Sequence, residues 1–274
     1  MAVITFSREA HSGTRDLARR LAERLGYRYV SRDELTQAVT ARSGLERSPQ
    51  TAESEGRALS LWEQLAEQLS GDRETYRAAL KAVVCDLAVA DNVVMVGHGA
   101  GHFLRDARTV IRVFVVAPLE DRITRLMDEG VDDPDRARRM VEQQDRESAE
   151  YLRYLFGINW LDPHEWDLVI NTGRANVNAA LDMLAEYAQS LIRDQAEHDA
   201  LARVQLASHI EQVLLADPEL GVDKLRVRLE TGTVVLEGEA LAAEDRERAE
   251  ATARAVAPQA ALDNRIVVHP PTAV

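Results

Sequence analysis

VITFSREAHSGTRDLARRLAERLG, residues 3–26, carries the reading from which the fold follows. It opens on a β-branched and aromatic run, passes a Ser12-Gly13 turn, and continues into a segment with Leu17, Leu21 and Leu25 four residues apart. That spacing keeps the leucines on one helical stripe, and Gly26 just beyond them suits a left-handed C-terminal cap. A strand that turns at once into a helix leaves the first helical amides without intrahelical partners. Those amides and the helix dipole favour an anion at the turn.

The same alternation extends outward. Short apolar runs at Val93–Gly97, Ile111–Ala117 and Leu168–Thr172 read as buried parallel strands. Helical patterns are expected at Leu59–Leu69, Glu74–Ala90, Glu120–Met127, Pro134–Tyr154 and Asn176–Gln195. Strand and helix in alternation predict an α/β parallel sheet flanked by helices. The polar stretch Ser43–Gly56, with Pro49 inside it, reads as a loop or lid.

From about Asp199 the pattern changes to a helix (Leu201–Leu215), a strand (KLRVRLE), a turn at Thr231-Gly232 and a second strand (TVVLEG). A helix (Ala242–Val256) and a last strand (NRIVVH) follow. In KLRVRLE, Leu225, Val227 and Leu229 alternate with charged residues, so one face is expected to be buried and the other wet. The expected division is therefore a first domain at 1–197 and a small α+β domain at 199–270.

Composition sets outer limits. The 274 residues carry 33 Lys+Arg against 46 Asp+Glu, a formal net charge of −13. That balance argues against nucleic acid as a partner, because phosphate contacts need a basic face. Hydrophobic residues make up 46% of the chain, yet no run approaches a membrane span. One cysteine, Cys85, excludes an intramolecular disulfide and fits a reducing, cytoplasmic setting. His98 and His102 flank Gly99-Ala100-Gly101 without a carboxylate or cysteine at ligand spacing, so no metal site is expected there.

Set against the phosphate-loop pattern GxxxxGK[ST], the chain has Arg8 at the first glycine, Gly13 at the second, Thr14 at the lysine and Arg15 at the hydroxyl residue. Only Gly13 matches. The lysine would supply a point charge on the phosphates and the hydroxyl would hold Mg²⁺, so both functions need other residues here.

ITFSREAHSGTRDLARRLAERLGYRYVSRDEL resembles the opening of the cytidylate kinase-like family, a branch of the nucleoside monophosphate kinases with a P-loop fold. VVMVGHGAGHFL, VFVVAPLEDRITRLM and DRESAEYLRYLFGINWLDPHEWDLVINTGR resemble its later blocks, in order. The resemblance implies transfer of the ATP γ-phosphoryl group, with Mg²⁺, to a nucleoside monophosphate such as CMP. It implies Ser12, Gly13, Thr14 and Arg15 as the phosphate turn, and Arg122 and Arg125 against the triphosphate. Arg15, Arg139 and Arg146 would stabilise the transferring group, the latter two from a closing segment that also holds Arg136 and Arg138. Arg32, Asp33, His98, Gly99 and Asp145 would face the acceptor.

Three residues depart from the family pattern: His11 replaces a turn glycine, His98 an arginine, and Ser31 an aspartate. Each removes room or charge, which keeps a nucleotide-sensing protein with impaired turnover as the alternative. Residues from about Leu201 to His269 resemble a BON domain, which implies a protein, lipid or other hydrophobic partner. The acidic balance favours regulation or self-association over docking on anionic lipid.

Overall fold

The computed structural model describes residues 2–43, 73–105, 107–191, 195–230 and 232–269. The expected helix at Leu59–Leu69 and nearly all of the expected loop at Ser43–Gly56 lie outside the described residues.

The first sheet comprises β1 (Val3–Arg8), β2 (Arg28–Val30), β3 (Val93–Val96), β4 (Val110–Val116) and β5 (Leu168–Asn171). Its order is β2-β3-β1-β4-β5, with every neighbouring pair parallel. The chain leaves β1 toward β2 and later crosses back over β1 to reach β4. A crevice therefore opens at the carboxyl ends of the central strands, where ligands of such sheets bind.

Helices cover both faces. On one, Val3, Met95 and Phe114 pack with α2 (Arg32–Ser43), α3 (Arg73–Val89) and α6 (Pro134–Phe156) through Leu35, Leu80, Val84 and Leu152. On the other, Ile4, Phe6, Val94 and Val113 meet α1 (Thr14–Leu25) and α7 (Val177–Ser190) through Leu17, Leu21, Leu181 and Leu184. Burial on both faces is why these strands read as continuous apolar runs rather than alternating ones. Two shorter helices, α4 (Ala100–Phe103) and α5 (Leu119–Asp128), follow β3 and β4.

Helix α8 (Gln195–Leu215) begins earlier than the sequence pattern suggested, and its residues serve two cores. Leu201 is buried in the first sheet's core, whereas Ala207, Ile210 and Leu214 belong to the core of the second sheet. Glu211, fully buried, ion-pairs with Arg77 (3.1 Å) and Lys81 (2.9 Å) of α3. Asp86 of α3 accepts from Gln205 (2.8 Å) and contacts His209 Nε2 (2.7 Å), both on α8.

The second sheet pairs β6 (Val222–Glu230) antiparallel to β7 (Thr233–Ala240), and β8 (Ala261–Asn264) and β9 (Val267–Val268) parallel to β7. Helix α9 (Ala243–Val256) covers it through Ala249 and Ala253. The final strand was expected over Asn264–His269; Ala261–Asn264 already form a strand. The strand then breaks because the Asn264 side chain accepts from Ile266 N (3.2 Å) and donates to Arg246 O (2.9 Å), a local arrangement that interrupts the ladder.

Among the described residues no helix is long and apolar enough to cross a membrane. Cys85 is buried on α3, and burial pushes its thiol up to about 12, so it is not poised as a nucleophile.

Candidate phosphate-binding site

The segment Glu9–Gly13 joins β1 to α1, and its shape is set by what holds its carbonyls. Arg122 of α5 donates to Ala10 O (3.4 Å), Arg125 donates to His11 O (3.1 Å), and Thr172, just after β5, donates to Ser12 O (2.6 Å). Asp145 of α6 accepts from Ala10 N (2.8 Å) and also pairs with Arg122. Glu9 accepts from Ala117 N (3.0 Å), which ties the segment to the end of β4.

Every peptide bond among the described residues is trans, so each carbonyl and the amide that follows it point to opposite sides. Pulling the carbonyls of residues 10, 11 and 12 toward α5 and β5 turns the next amides the other way. The amides of His11, Gly13, Thr14, Arg15 and Asp16 have no acceptor among the described residues. Five amides without an acceptor at a helix start make a cradle that suits an oxyanion.

Gly13 caps α1 with φ of 80°, a left-handed conformation that suits glycine. His11 is also left-handed, with φ of 54°, although it carries a side chain. Its Nδ1 lies 3.2 Å from Glu129 at the end of α5, which draws the imidazole to that helix. Ser12 and Thr14 are buried and share a hydrogen bond between their hydroxyls (2.8 Å).

His98 sits in a run of three left-handed residues, Gly97 to Gly99, at the carboxyl end of β3. Thr36 donates its hydroxyl proton to Arg32 O (2.9 Å), so its oxygen accepts from His98 Nε2 (2.9 Å). With the proton on Nε2, His98 Nδ1 accepts from the Tyr151 hydroxyl (3.1 Å), which in turn receives the Tyr76 hydroxyl proton (3.4 Å). Burial first, and then the Arg32 charge, lower the His98 pKa to about 3. His98 is thus a neutral link between α2 and α6, not a cation for a phosphate.

The structure brings Ser12, Gly13, Thr14 and Arg15 together with Arg122, Arg125 and Asp145 around one segment. The two α5 arginines reach the segment's carbonyls, so they shape the cradle from behind. Arg139 and Arg146 are exposed on α6; Arg139 lies 4.0 Å from Asp133, and Arg146 has no polar partner among the described residues. Asp33 is exposed in the first turn of α2, while Gly99 is buried, with a Cβ there only 2.6 Å from Phe156. Sequence reasoning missed Glu9 and Thr172 as shaping residues. Thr172 was legible as the residue closing the last strand, but nothing local points it at Ser12. Trp160 and Trp166 are buried, and Trp166 stacks on Phe114 with centroids 5.0 Å apart.

The amide cradle fits a nucleotide's phosphates. For Mg²⁺, the nearby carboxylates Glu9 and Asp145 are already engaged, and among the described residues no cluster of three or more ligating side chains occurs. A metal here would rest mainly on phosphate oxygens and water, as Mg²⁺ commonly does.

The sequence profile of the cytidylate kinase-like family matches residues 3–174, and that of the BON domain matches 203–270. The cytidylate kinase of Staphylothermus marinus is 27% identical over 196 residues, 71% of this chain and 100% of that protein. That of Pyrococcus furiosus is 30% identical over 191 residues, 66% of this chain and 89% of its own length. A solved structure of an uncharacterized protein from Eubacterium ventriosum superposes with a TM-score of 0.54 at 21% identity, covering 70% of this chain and 100% of that one. This chain belongs to the cytidylate kinase-like family and carries a C-terminal BON domain.

Proposed function

We propose that the protein transfers the γ-phosphoryl group of ATP to a nucleoside monophosphate such as CMP. The observation that carries the reading is the cradle of unpaired amides from His11 to Asp16, fixed from behind by Arg122, Arg125 and Thr172. Phosphoryl transfer asks a protein chiefly for positioning and charge, and these amides supply both without a lysine. Bound ATP with Mg²⁺ would supply the transferable group. In this reading Arg15 neutralises charge at the turn, and Arg139 and Arg146 approach from the exposed side of α6. The acceptor side comprises Arg32, Asp33 and Gly99, with His98 and Asp145 as positioning residues. The relatives named cytidylate kinase support CMP as acceptor.

One observation favours a sensor with impaired turnover. The Thr14 hydroxyl is buried against Ser12, and a guanidinium stands at position 15 in place of the usual hydroxyl. A coupled assay of ATP consumption over CMP, UMP, AMP and GMP separates the two. Turnover on the order of 1–100 s⁻¹ with one acceptor is expected for a kinase. Thermal stabilisation by ATP without turnover would establish the sensor. The BON domain, joined to α3 through Glu211, would then relay binding to a partner.

A further inference from the structure

Helix α8 is held to the first domain in two different ways along its length. Near its start, Leu201 is buried in the first sheet's core with Val204 packed against that core, an apolar anchor. From Gln205 onward α3 meets it chiefly through polar groups. Gln205 and His209 reach Asp86, Glu211 pairs with Arg77 and Lys81, and Thr75 donates to Leu215 O (3.1 Å). Arg226 of β6 adds an ion pair with Glu74 (2.9 Å). Ala207, Ile210 and Leu214 keep this half of α8 on the second sheet, so it belongs mechanically to the BON domain. Interfaces this polar between domains of one chain resemble transient ones, for which relative motion is the expected behaviour.

The same contacts reach α2. Arg42, near the end of α2, donates from Nε to Gln212 of α8 (2.6 Å) and ion-pairs with Asp86. At the other end of α2, His98 Nε2 lies against Thr36 (2.9 Å) and the Arg32 carbonyl (3.3 Å). A helix of 12 residues held at both ends carries a shift at one end to the other as a rigid element. Lifting the polar half of α8 takes Gln212 from Arg42 and takes Gln205 and His209 from Asp86, so the end of α2 loses its setting. Arg32 and Asp33, at the start of α2, stand on the acceptor side in the phosphotransfer reading.

We propose that docking of the BON domain on α3 and occupancy of the acceptor side stabilise each other, with Asp86 and Arg42 as the joint through which α2 carries the coupling. The docked state holds α2 where it binds the acceptor, and the undocked state frees its end. Linkage makes the effect reciprocal: what docking adds to acceptor affinity, the acceptor adds to docking. The identity of the acceptor rests on the phosphotransfer reading, whereas the coupling rests on the contacts of α8.

Cys85, the chain's one cysteine, reports the docked state. It is 1% exposed on α3 and its thiol faces Ser208 in the polar half of α8, so a thiol reagent gains access when that half lifts. The test times labelling of the full chain by an aromatic disulfide, alone and with CMP, UMP, AMP, GMP or ATP, beside steady-state kinetics. In wild type at least one monophosphate should slow labelling about 5- to 30-fold, and ATP alone should not. His209→Ala and Gln212→Ala should label faster and raise that acceptor's KM about 5- to 30-fold with kcat little changed. Gln212→Glu, which keeps an acceptor for Arg42, should return both toward wild type. Arg248→Ala, which breaks a pair with Glu219 inside the BON domain, should alter neither.

Labelling that no monophosphate slows overturns the coupling, as does an unchanged KM in variants that label faster. Turnover in the same samples then keeps the kinase reading, and its absence removes it. Wild-type labelling no faster than global unfolding in urea overturns the undocking itself, whatever the ligand does. Labelling faster than unfolding and slowed by a monophosphate, but without turnover, leaves the coupling standing and removes the kinase reading.

Discussion

Removing the Glu211 carboxylate tests how the two sheets are joined. Glu211 is 1% exposed and its partners Arg77 and Lys81 are 14% and 17% exposed, so solvent screens this cluster little. Glu211→Ala leaves Lys81 facing Arg77 without its carboxylate, and leaves Arg77 with Glu74 (3.2 Å) as its remaining ion-pair partner. Breaking a buried pair from one side costs about 3–5 kcal/mol. For a chain of this size that corresponds to a fall in Tm of about 6–20 °C. Glu211→Gln keeps the volume and one acceptor, so its loss should be smaller, about 1–3 kcal/mol. Urea unfolding would be followed by tryptophan fluorescence and by far-UV circular dichroism. Trp160 and Trp166 are buried in the first sheet's core, so their fluorescence reports that sheet while dichroism reports both. Wild type should give coincident transitions, and Glu211→Ala should shift both or split them. A loss below about 1 kcal/mol with the transitions still coincident would refute the idea that this carboxylate fastens α8 to α3.

Other substitutions follow from single contacts. Gly99→Ala places a Cβ 2.6 Å from Phe156 and 2.7 Å from Leu152 at φ of +64°, so thermal melts should show a loss of about 2–5 kcal/mol. Thr172→Val removes the donor to Ser12 O, and calorimetry should find ATP bound about 5- to 30-fold more weakly in a folded protein. His98 and His102 have pKa values lowered to about 3 and about 4, mainly by burial. The unfolded chain therefore binds more protons than the native one between about pH 6.5 and those values. Stability should fall as pH drops through that window, by up to about 1.4 kcal/mol per pH unit for each histidine. His98→Gln should flatten the slope in acid-denaturation curves; an unchanged slope would exclude His98 as a source.

The parallel sheet was legible because its strands are buried on both faces and its helices carry regular leucine stripes, as Leu17 and Leu21 illustrate. That Leu201 joins the first sheet's core was not legible, since it packs on a sheet far away in sequence and local periodicity cannot name its partner. The break after Asn264 was hidden for another reason: an Asn side chain's choice between its own backbone and Arg246 depends on tertiary placement. At the site, Gly13 and the turn could be read from residue types alone. The roles of Arg122 and Arg125 could not, because sequence shows that arginines share a helical face but not that loop carbonyls occupy them. His98 was misleading for the same reason, since a lone histidine among glycines carries no mark of the two hydroxyls that fix its proton.

The absent lysine is less damaging than the motif alone suggests, because two separable tasks are involved. One is orienting amides toward a phosphate; the other is supplying positive charge. Orientation here is imposed from outside the segment, by donors on α5 and after β5 that hold three successive carbonyls. Such holding also explains why position 11 tolerates a histidine: Arg125 grips its carbonyl, and Glu129 draws its ring toward α5. Charge can then come from residues other than the motif's lysine, such as Arg15 in the first turn of α1. A segment whose backbone is fixed by its neighbours and whose cations are carried by other elements can lose the motif's side chains and still keep an anion-binding surface.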